Sequence, residues 1–178
     1  MEALKLFKDH PGMPDTKKYF LDQAVAEKKL RRMALEIIEN NLDEEELILA
    51  GIAESGSVVA KNIQQMIAEN ADIPTVLINI SLDKRLPQEI KLSQAIDFTD
   101  KVIVVIDDVA NSGRTLLYAL KPFLQYQPKK IQALVLVERS HNSFPVCPDY
   151  VGVSISTTLQ EHICVEVAED KVLGAYLQ

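Results

Sequence analysis

With 178 residues, 47% of them apolar, the chain has material for one domain, and at this length folding buries about 70% of the unfolded surface without staples. Its net charge of −7 repels polyanions, which argues against a nucleic-acid partner held by bulk charge; a small anion held by oriented N–H groups remains compatible. No apolar stretch suits a signal peptide or a membrane span, so a cytoplasmic protein is expected, with the widely separated Cys147 and Cys164 as reduced core thiols.

The first periodic segment, Leu21 to Asn41, places Leu30, Met33, Ala34, Ile37 and Ile38 at helical intervals. Lys28, Lys29, Arg31, Arg32 and Glu36 between them read as a solvated face. Leu47 to Ile52 is a short, nearly all-apolar run that predicts a strand, followed by a Gly-containing turn and a helix from Ser57 to Ala71. Pro74 to Leu82 predicts a second strand, and the polar stretch from Asp83 to Asp97 a mobile loop with a short strand. Val102 to Ile106 is the most strongly β-branched run, and a helix is expected from Arg114 to about Leu124. Further strands are expected at Ile131 to Val137, Tyr150 to Ile155, Ile163 to Val167 and Val172 to Tyr176. Strands alternating with helices predict an α/β fold, one domain over residues 1–178, with an open, mainly parallel sheet covered by helices on both faces. Ligands of such sheets sit at the carboxyl ends of the strands, so the loops at 51–57, 107–114 and 138–143 are expected to converge on one cleft.

The densest chemistry follows Val102 to Ile106. Asp107 and Asp108 are adjacent carboxylates, and the small-residue loop Ala110, Asn111, Ser112, Gly113 leads into a helix opened by Arg114 and Thr115. Unpaired N–H groups at a helix start cradle phosphate, Gly113 permits close approach, and Ser112 and Thr115 add hydroxyl donors. Asp107 and Asp108 can accept hydrogen bonds from two ribose hydroxyls or hold Mg²⁺ through water, without a direct side-chain metal site. Taken alone, the pair is equally a strand end with a helix cap.

The stretch from Val102 to Thr115 resembles the phosphoribosyl-pyrophosphate motif of type I phosphoribosyltransferases, and residues 134–157 resemble a base-binding region of that family. Within the family the similarity is greatest to members that combine uracil phosphoribosyl transfer with control of pyrimidine operons. The resemblance implies that Asp107 and Asp108 bind the ribose hydroxyls and that residues 110–115 bind the 5-phosphate. It places Tyr150, Val151 and Gly152 beside the base, under a small hood, with Arg139 and His141 near the same pocket, unless those two are loop residues bonded to backbone carbonyls. Mg²⁺ as cofactor, phosphoribosyl pyrophosphate and a nucleobase as substrates, and a homodimer are implied in the same way.

Three positions depart from the family pattern. Glu54 and Ser55, before Gly56, stand where relatives carry a Thr-Arg pair in the pyrophosphate turn, and a carboxylate there repels pyrophosphate unless Mg²⁺ or a lysine such as Lys61 intervenes. Asn111 stands where purine-using members place an acid, and an amide cannot accept that proton, so a pyrimidine base is favoured. The loop at 83–97 offers Lys84, Arg85 and Lys91 as cations to close over pyrophosphate, or as a solvated loop. The expected activity is transfer of phosphoribosyl to a pyrimidine; the alternatives are an RNA-binding attenuator, disfavoured by charge, and a catalytically weak sugar-phosphate sensor.

Overall fold

Two sheets divide the work of the fold, one building the core and the other covering a corner of it. The computed structural model describes residues 17, 19–83, 89–140, 142–157 and 161–178. In chain order the elements are β1 (Tyr19–Asp22), α1 (Gln23–Glu39), β2 (Leu47–Ile52), α2 (Ala53–Asn70), β3 (Thr75–Leu82), β4 (Ile90–Leu92) and β5 (Val102–Ala110). There follow α3 (Arg114–Ala119), a 3-10 turn at Lys121–Phe123, β6 (Lys130–Arg139), β7 (Tyr150–Ile155), β8 (Ile163–Ala168) and β9 (Lys171–Leu177). The main sheet has the order β4-β3-β2-β5-β6-β7 and is parallel except for the short edge strand β4; β1-β9-β8 form a separate antiparallel sheet.

The apolar runs that look continuous in the sequence are split by the pleat into two cores. Leu47, Leu49, Val104, Ile106, Leu134 and Leu136 face α1 and α2, which bury Leu30, Met33, Ile37, Val59, Ile63 and Ile67 against them. Ile48, Ala50, Ile103, Val105 and Val135 face the other way, onto Leu116 and Ala119 of α3 and onto Phe98 and Phe123. The two rings of that last pair meet edge to face at 4.9 Å, the arrangement aromatic quadrupoles favour. The α/β fold, with a mainly parallel sheet sandwiched between helices, is thus as the run lengths predict.

Several boundaries move, each for a tertiary reason. Leu21 does not begin the first helix but lies in β1, paired with Ala175, and the helix starts after Asp22, whose Oδ1 accepts from the Val25 N–H at 2.8 Å. Nothing local in Tyr19–Asp22 announces a strand whose partner lies at the other end of the chain. Residues 53–56 are not a loop: α2 starts directly at Ala53, whose φ of +52° makes the sharp turn out of β2. The helix expected from Arg114 to Leu124 stops at Ala119 and passes into the 3-10 turn that contains Pro122, which cannot continue an α-helical ladder. β5 runs four residues past Ile106, so Asp107 and Asp108 are inside the strand rather than after it. Cys147 and Cys164 are free thiols as expected, but Cys147 is exposed, because it sits in the β6–β7 connection and not in the core.

At the amino-terminal edge of β6 and β7 a polar network closes the end of α1. The Tyr150 hydroxyl accepts from Gln132 Nε2 at 2.7 Å and from Asn40 Nδ2 at 3.2 Å, and Asn41 Nδ2 donates to Gln132 Oε1 at 3.0 Å. Lys130 Nζ completes it with donations to the Asn40 carbonyl and Asn41 Oδ1. Burial pushes the Tyr150 phenol above its ordinary pKa, so it is protonated throughout the neutral range. Tyr150→Phe leaves the two amide donors without their acceptor and is expected to lower stability by about 1–3 kcal/mol, read as a lower urea midpoint at unchanged slope. An unchanged midpoint would mean that water takes over the hydroxyl's place at no cost.

Candidate active site

β5 pairs with β2 only as far as Gly51 opposite Ile106, whereas its pairing with β6 continues to Ala110 opposite Glu138. Asp107 and Asp108 therefore stand at the carboxyl edge of the sheet where one neighbouring strand has ended. Asp107 is fully buried and Asp108 only 8% exposed, and the Asp108 N–H donates to Asp107 Oδ1 at 2.9 Å. On the β2 side the vacated edge is filled by the first turn of α2. A Cβ at Gly56 would stand 2.8 Å from the Ile106 carbonyl oxygen and 3.4 Å from Asp107 Oδ1, so only a glycine lets that turn lie against the acid pair.

Beyond the pair, residues 111–113 turn the chain into α3. Gly113 has φ +80°, the left-handed region, and is the residue from which the helix begins. The Ser112 carbonyl accepts from the N–H groups of both Ser143 and Phe144, each at 3.0 Å, so the β6–β7 connection braces this loop from behind. A cleft of about 380 Å³ results, lined by Asp107, Asp108, Ala110 to Thr115 and their neighbours, with Ile163 of β8 on its far side. Because α3 has six residues its dipole is short, and the donors this side of the cleft can offer an anion are the loop's own N–H groups and the Ser112 and Thr115 hydroxyls. Arg114 leans over the Tyr118 ring, 5.8 Å from its centroid. Two buried carboxylates next to a donor-rich loop can orient vicinal hydroxyls and an adjoining phosphate.

The other residues singled out from the sequence are distributed around this cleft. Glu54 and Ser55 line a second, wider opening of about 700 Å³ with Ala53, Ser57, Asn79 and Ser81, and Glu54 is exposed there. The three loops thus adjoin through backbone contact, by way of Gly56 on one side and Ser143 and Phe144 on the other, instead of lining one common opening. Lys61 is turned away, in an ion pair with Asp170 at 2.6 Å. Lys91 is exposed on β4 and pairs with Glu89 at 3.2 Å. Lys84, Arg85 and His141 lie outside the described residues.

Tyr150, Val151 and Gly152, expected beside a base, lie in β7, separated from the acid pair of β5 by β6. Tyr150 and Val151 pair with Leu134 and Val135 of β6, and Val135 pairs in turn with Asp107, so Val151 stands level with Asp107 across the sheet, while the Tyr150 side chain joins the core and its polar network. Gly152 packs on the neighbouring strand, where a Cβ would meet the Leu136 carbonyl at 2.4 Å, and the Val151 carbonyl accepts from Arg32 Nη2 at 2.5 Å. Arg139 ends β6 buried, donating from Nη2 to the Glu161 carbonyl. Sequence reasoning passed over Ile163, Asn79 and Ser81, which reach the two openings only through the sheet order; no local pattern marks them.

The family model described as "Phosphoribosyl transferase domain" matches residues 18–170. Among curated proteins, the chain is 39% identical over 160 residues to the Bifunctional protein PyrR of Staphylococcus carnosus, covering 84% of this chain and 91% of that one. It is 33% identical over 168 residues to the Bifunctional protein PyrR of Streptococcus pneumoniae, covering 88% and 95%. Among solved structures it is similar in fold to a hypoxanthine-guanine phosphoribosyltransferase of Bacillus anthracis, with TM-score 0.68 and 20% identity over 84% of this chain and 88% of that one. The hypoxanthine phosphoribosyltransferase of Trypanosoma cruzi gives TM-score 0.75 at 12% identity, over 90% and 95%.

Replacement of Gly113 by valine forces a β-branched residue into a left-handed backbone and sets its Cβ 3.3 Å from the Phe144 carbonyl. Affinity for ribose 5-phosphate, followed by calorimetric titration, is expected to fall by about tenfold or more, on about 1–3 kcal/mol of strain, with an unchanged far-ultraviolet spectrum. Parental affinity in this variant would exclude the loop as the phosphate site.

Proposed function

This chain belongs to the phosphoribosyl transferase domain family, and on that premise we propose that it transfers the 5-phosphoribosyl group of phosphoribosyl pyrophosphate to uracil or a related pyrimidine. The carrying observation is the buried pair Asp107 and Asp108 opening into one cleft with the Gly113 loop. In this reading Asp107 and Asp108 accept from the ribose hydroxyls, and residues 110–115 hold the 5-phosphate. The bond from the anomeric carbon to pyrophosphate breaks with its electron pair leaving on oxygen, a ring nitrogen of the base bonds to that carbon, and the nitrogen's proton is released. Positive charge grows on the ribose as the leaving group departs, and two carboxylates beside it stabilise that charge most at the transition state.

The departures from the family pattern shape the details. Asn111 is exposed at the loop and offers no proton acceptor, which supports a pyrimidine over a purine. Glu54, Ser55 and Gly56 are proposed to face the pyrophosphate, with water screening the exposed Glu54 carboxylate. Mg²⁺ suits the residues present. No group of three or more His, Cys, Asp and Glu is placed to hold a metal ion among the described residues, but Asp107 and Asp108 supply hard oxygens of the kind this ion shares with substrate phosphates. When bound, the ion supplies neutralisation of the pyrophosphate charge. A cytoplasmic homodimer serving pyrimidine salvage is part of the same proposal; no described helix is long and apolar enough to cross a membrane.

The description of the relatives as bifunctional supports a second reading, a nucleotide-sensing regulator that binds RNA. Charge weighs against it: Arg31 and Arg32, in the basic stretch of α1, are paired with Glu69 and Glu36. Retention of a pyrimidine-operon leader RNA in a gel at physiological salt would establish it.

The transfer reading is tested by assaying labelled phosphoribosyl pyrophosphate with a panel of bases. Nucleotide is expected with uracil, and no nucleotide with any base, despite sugar-phosphate binding, would overturn the proposal. Asp108→Asn keeps an accepting oxygen but removes the charge, so turnover is expected to fall about a hundredfold, or about 2.7 kcal/mol, while the KM for phosphoribosyl pyrophosphate changes little. Equal turnover in variant and parent would reduce the pair to a strand-end cap.

A further inference from the structure

Arg139 is 7% exposed, its Nε has no hydrogen-bond partner among the described residues, and its Nη2 donates to a backbone carbonyl, that of Glu161. Burying a guanidinium with part of its donor set unused is costly, and a contact to a carbonyl does not neutralise it. What the contact does is mechanical: it ties the end of β6 in the main sheet to the chain just before β8 in the small one. Two residues on, Ile163 is the first residue of β8 and, among the described residues, the only wall of the acid-pair cleft contributed from outside residues 107–116.

The small sheet packs on the main core through Leu21, Val172 and Ala175, with Ile163, Val165 and Val167 of β8 half-buried against it, and polar ties fix its ends. Its β8–β9 turn is fastened to α2, where Asn62 Nδ2 donates to the Asp170 carbonyl at 2.8 Å and Lys61 pairs with the Asp170 carboxylate. At the other end the His162 and Gln178 backbones bond reciprocally, at 2.8 and 2.9 Å, but this joins β8 only to β9 of the same sheet. The start of β8 is tied to the main sheet by Arg139. Without that tie, the start of β8 would keep only its apolar packing, which sets no fixed distance, and the end left least constrained is the end bearing Ile163.

We propose that Arg139 is a positioning residue for the base side of the cleft: by holding the Glu161 carbonyl it sets how far Ile163 stands from the acid pair, and so the clearance left for a planar nucleobase. This rests on the transfer reading above and sharpens it, since Arg139 acts from behind the cleft wall instead of touching the base. The planar fork of an arginine defines both the direction and the length of the tie, which a lysine ammonium does not reproduce.

The test combines amide exchange with kinetics on the full chain. In Arg139→Met, amides of residues 161–167 are expected to exchange about tenfold faster, with residues 102–116 unchanged, on the scale of one lost hydrogen bond to a charged group. The KM for uracil should rise about tenfold while that for phosphoribosyl pyrophosphate stays within about twofold. Ile163→Ala should reproduce the rise in KM for uracil, and the double variant should be no worse than Ile163→Ala alone, because one residue acts through the other. Unchanged exchange at 161–167 would overturn the tie, and effects that multiply in the double variant would overturn its action through Ile163. Should Arg139→Met fail to melt cooperatively, Arg139→Lys carries the same measurements with the same outcomes. A parent chain without turnover overturns the transfer reading instead, and the exchange experiment still decides the tie.

Discussion

β5 keeps pairing with β6 after β2 has ended, and the geometry of the site depends on that mismatch. A strand flanked on both sides through its whole length would present no edge, and two consecutive aspartates inside it would be buried charges with no approach for a ligand. A strand that stopped with its neighbour would leave the same aspartates on a mobile loop. Ending β2 at Ile52 and carrying β5 to Ala110 holds Asp107 and Asp108 rigidly on one side while leaving the other side to be shaped by the first turn of α2. Gly56 is the residue on which this arrangement turns, because its missing side chain lets a helix turn take the place of a strand next to Asp107.

The rest of the cleft is built by bracing from elements distant in sequence. The Ser112 carbonyl is held by two amides of the β6–β7 connection, next to the left-handed Gly113 from which α3 begins. From the opposite side the small sheet brings in Ile163, and it is anchored through α2 and through Arg139. A ribose phosphate bound here would meet rigid walls formed by three separate stretches of chain, which suits a reaction in which positioning and exclusion of water contribute more than proton transfer.

Much of this was legible along the chain. The runs Leu47–Ile52, Val102–Ile106 and Ile131–Val137 are too continuously apolar for a half-exposed sheet, and that alone called for parallel strands covered on both faces. The order of apolar strand, acid pair, small residues and Gly113 pointed to residues that line one cleft, since they follow one another along the chain. The surroundings of Tyr150 to Gly152 were not legible in the same way. Tyr150, Val151 and Gly152 carry structural tasks that the sequence did not announce: Tyr150 closes a polar network with Asn40 and Gln132, and Gly152 makes room for the Leu136 carbonyl. A tyrosine in an apolar strand carries no mark of the polar partners that its hydroxyl meets, because those partners come from α1 and β6.

What the amino-acid sequence determined by itself is therefore what short-range physics dictates: the alternation of elements, the α/β class, the phosphate-type loop and the aspartates next to it, because periodicity, turn chemistry and charge act over a few residues. Only the tertiary structure decided that Tyr19–Asp22 is a strand and not the start of a helix, that residues 53–56 are helical and press on Asp107, and that Ile163 faces the acid pair with Arg139 behind it. Those features depend on which strand neighbours which and on where each strand stops, and pairings between residues fifty to a hundred and fifty positions apart leave no local signal in the residues that make them.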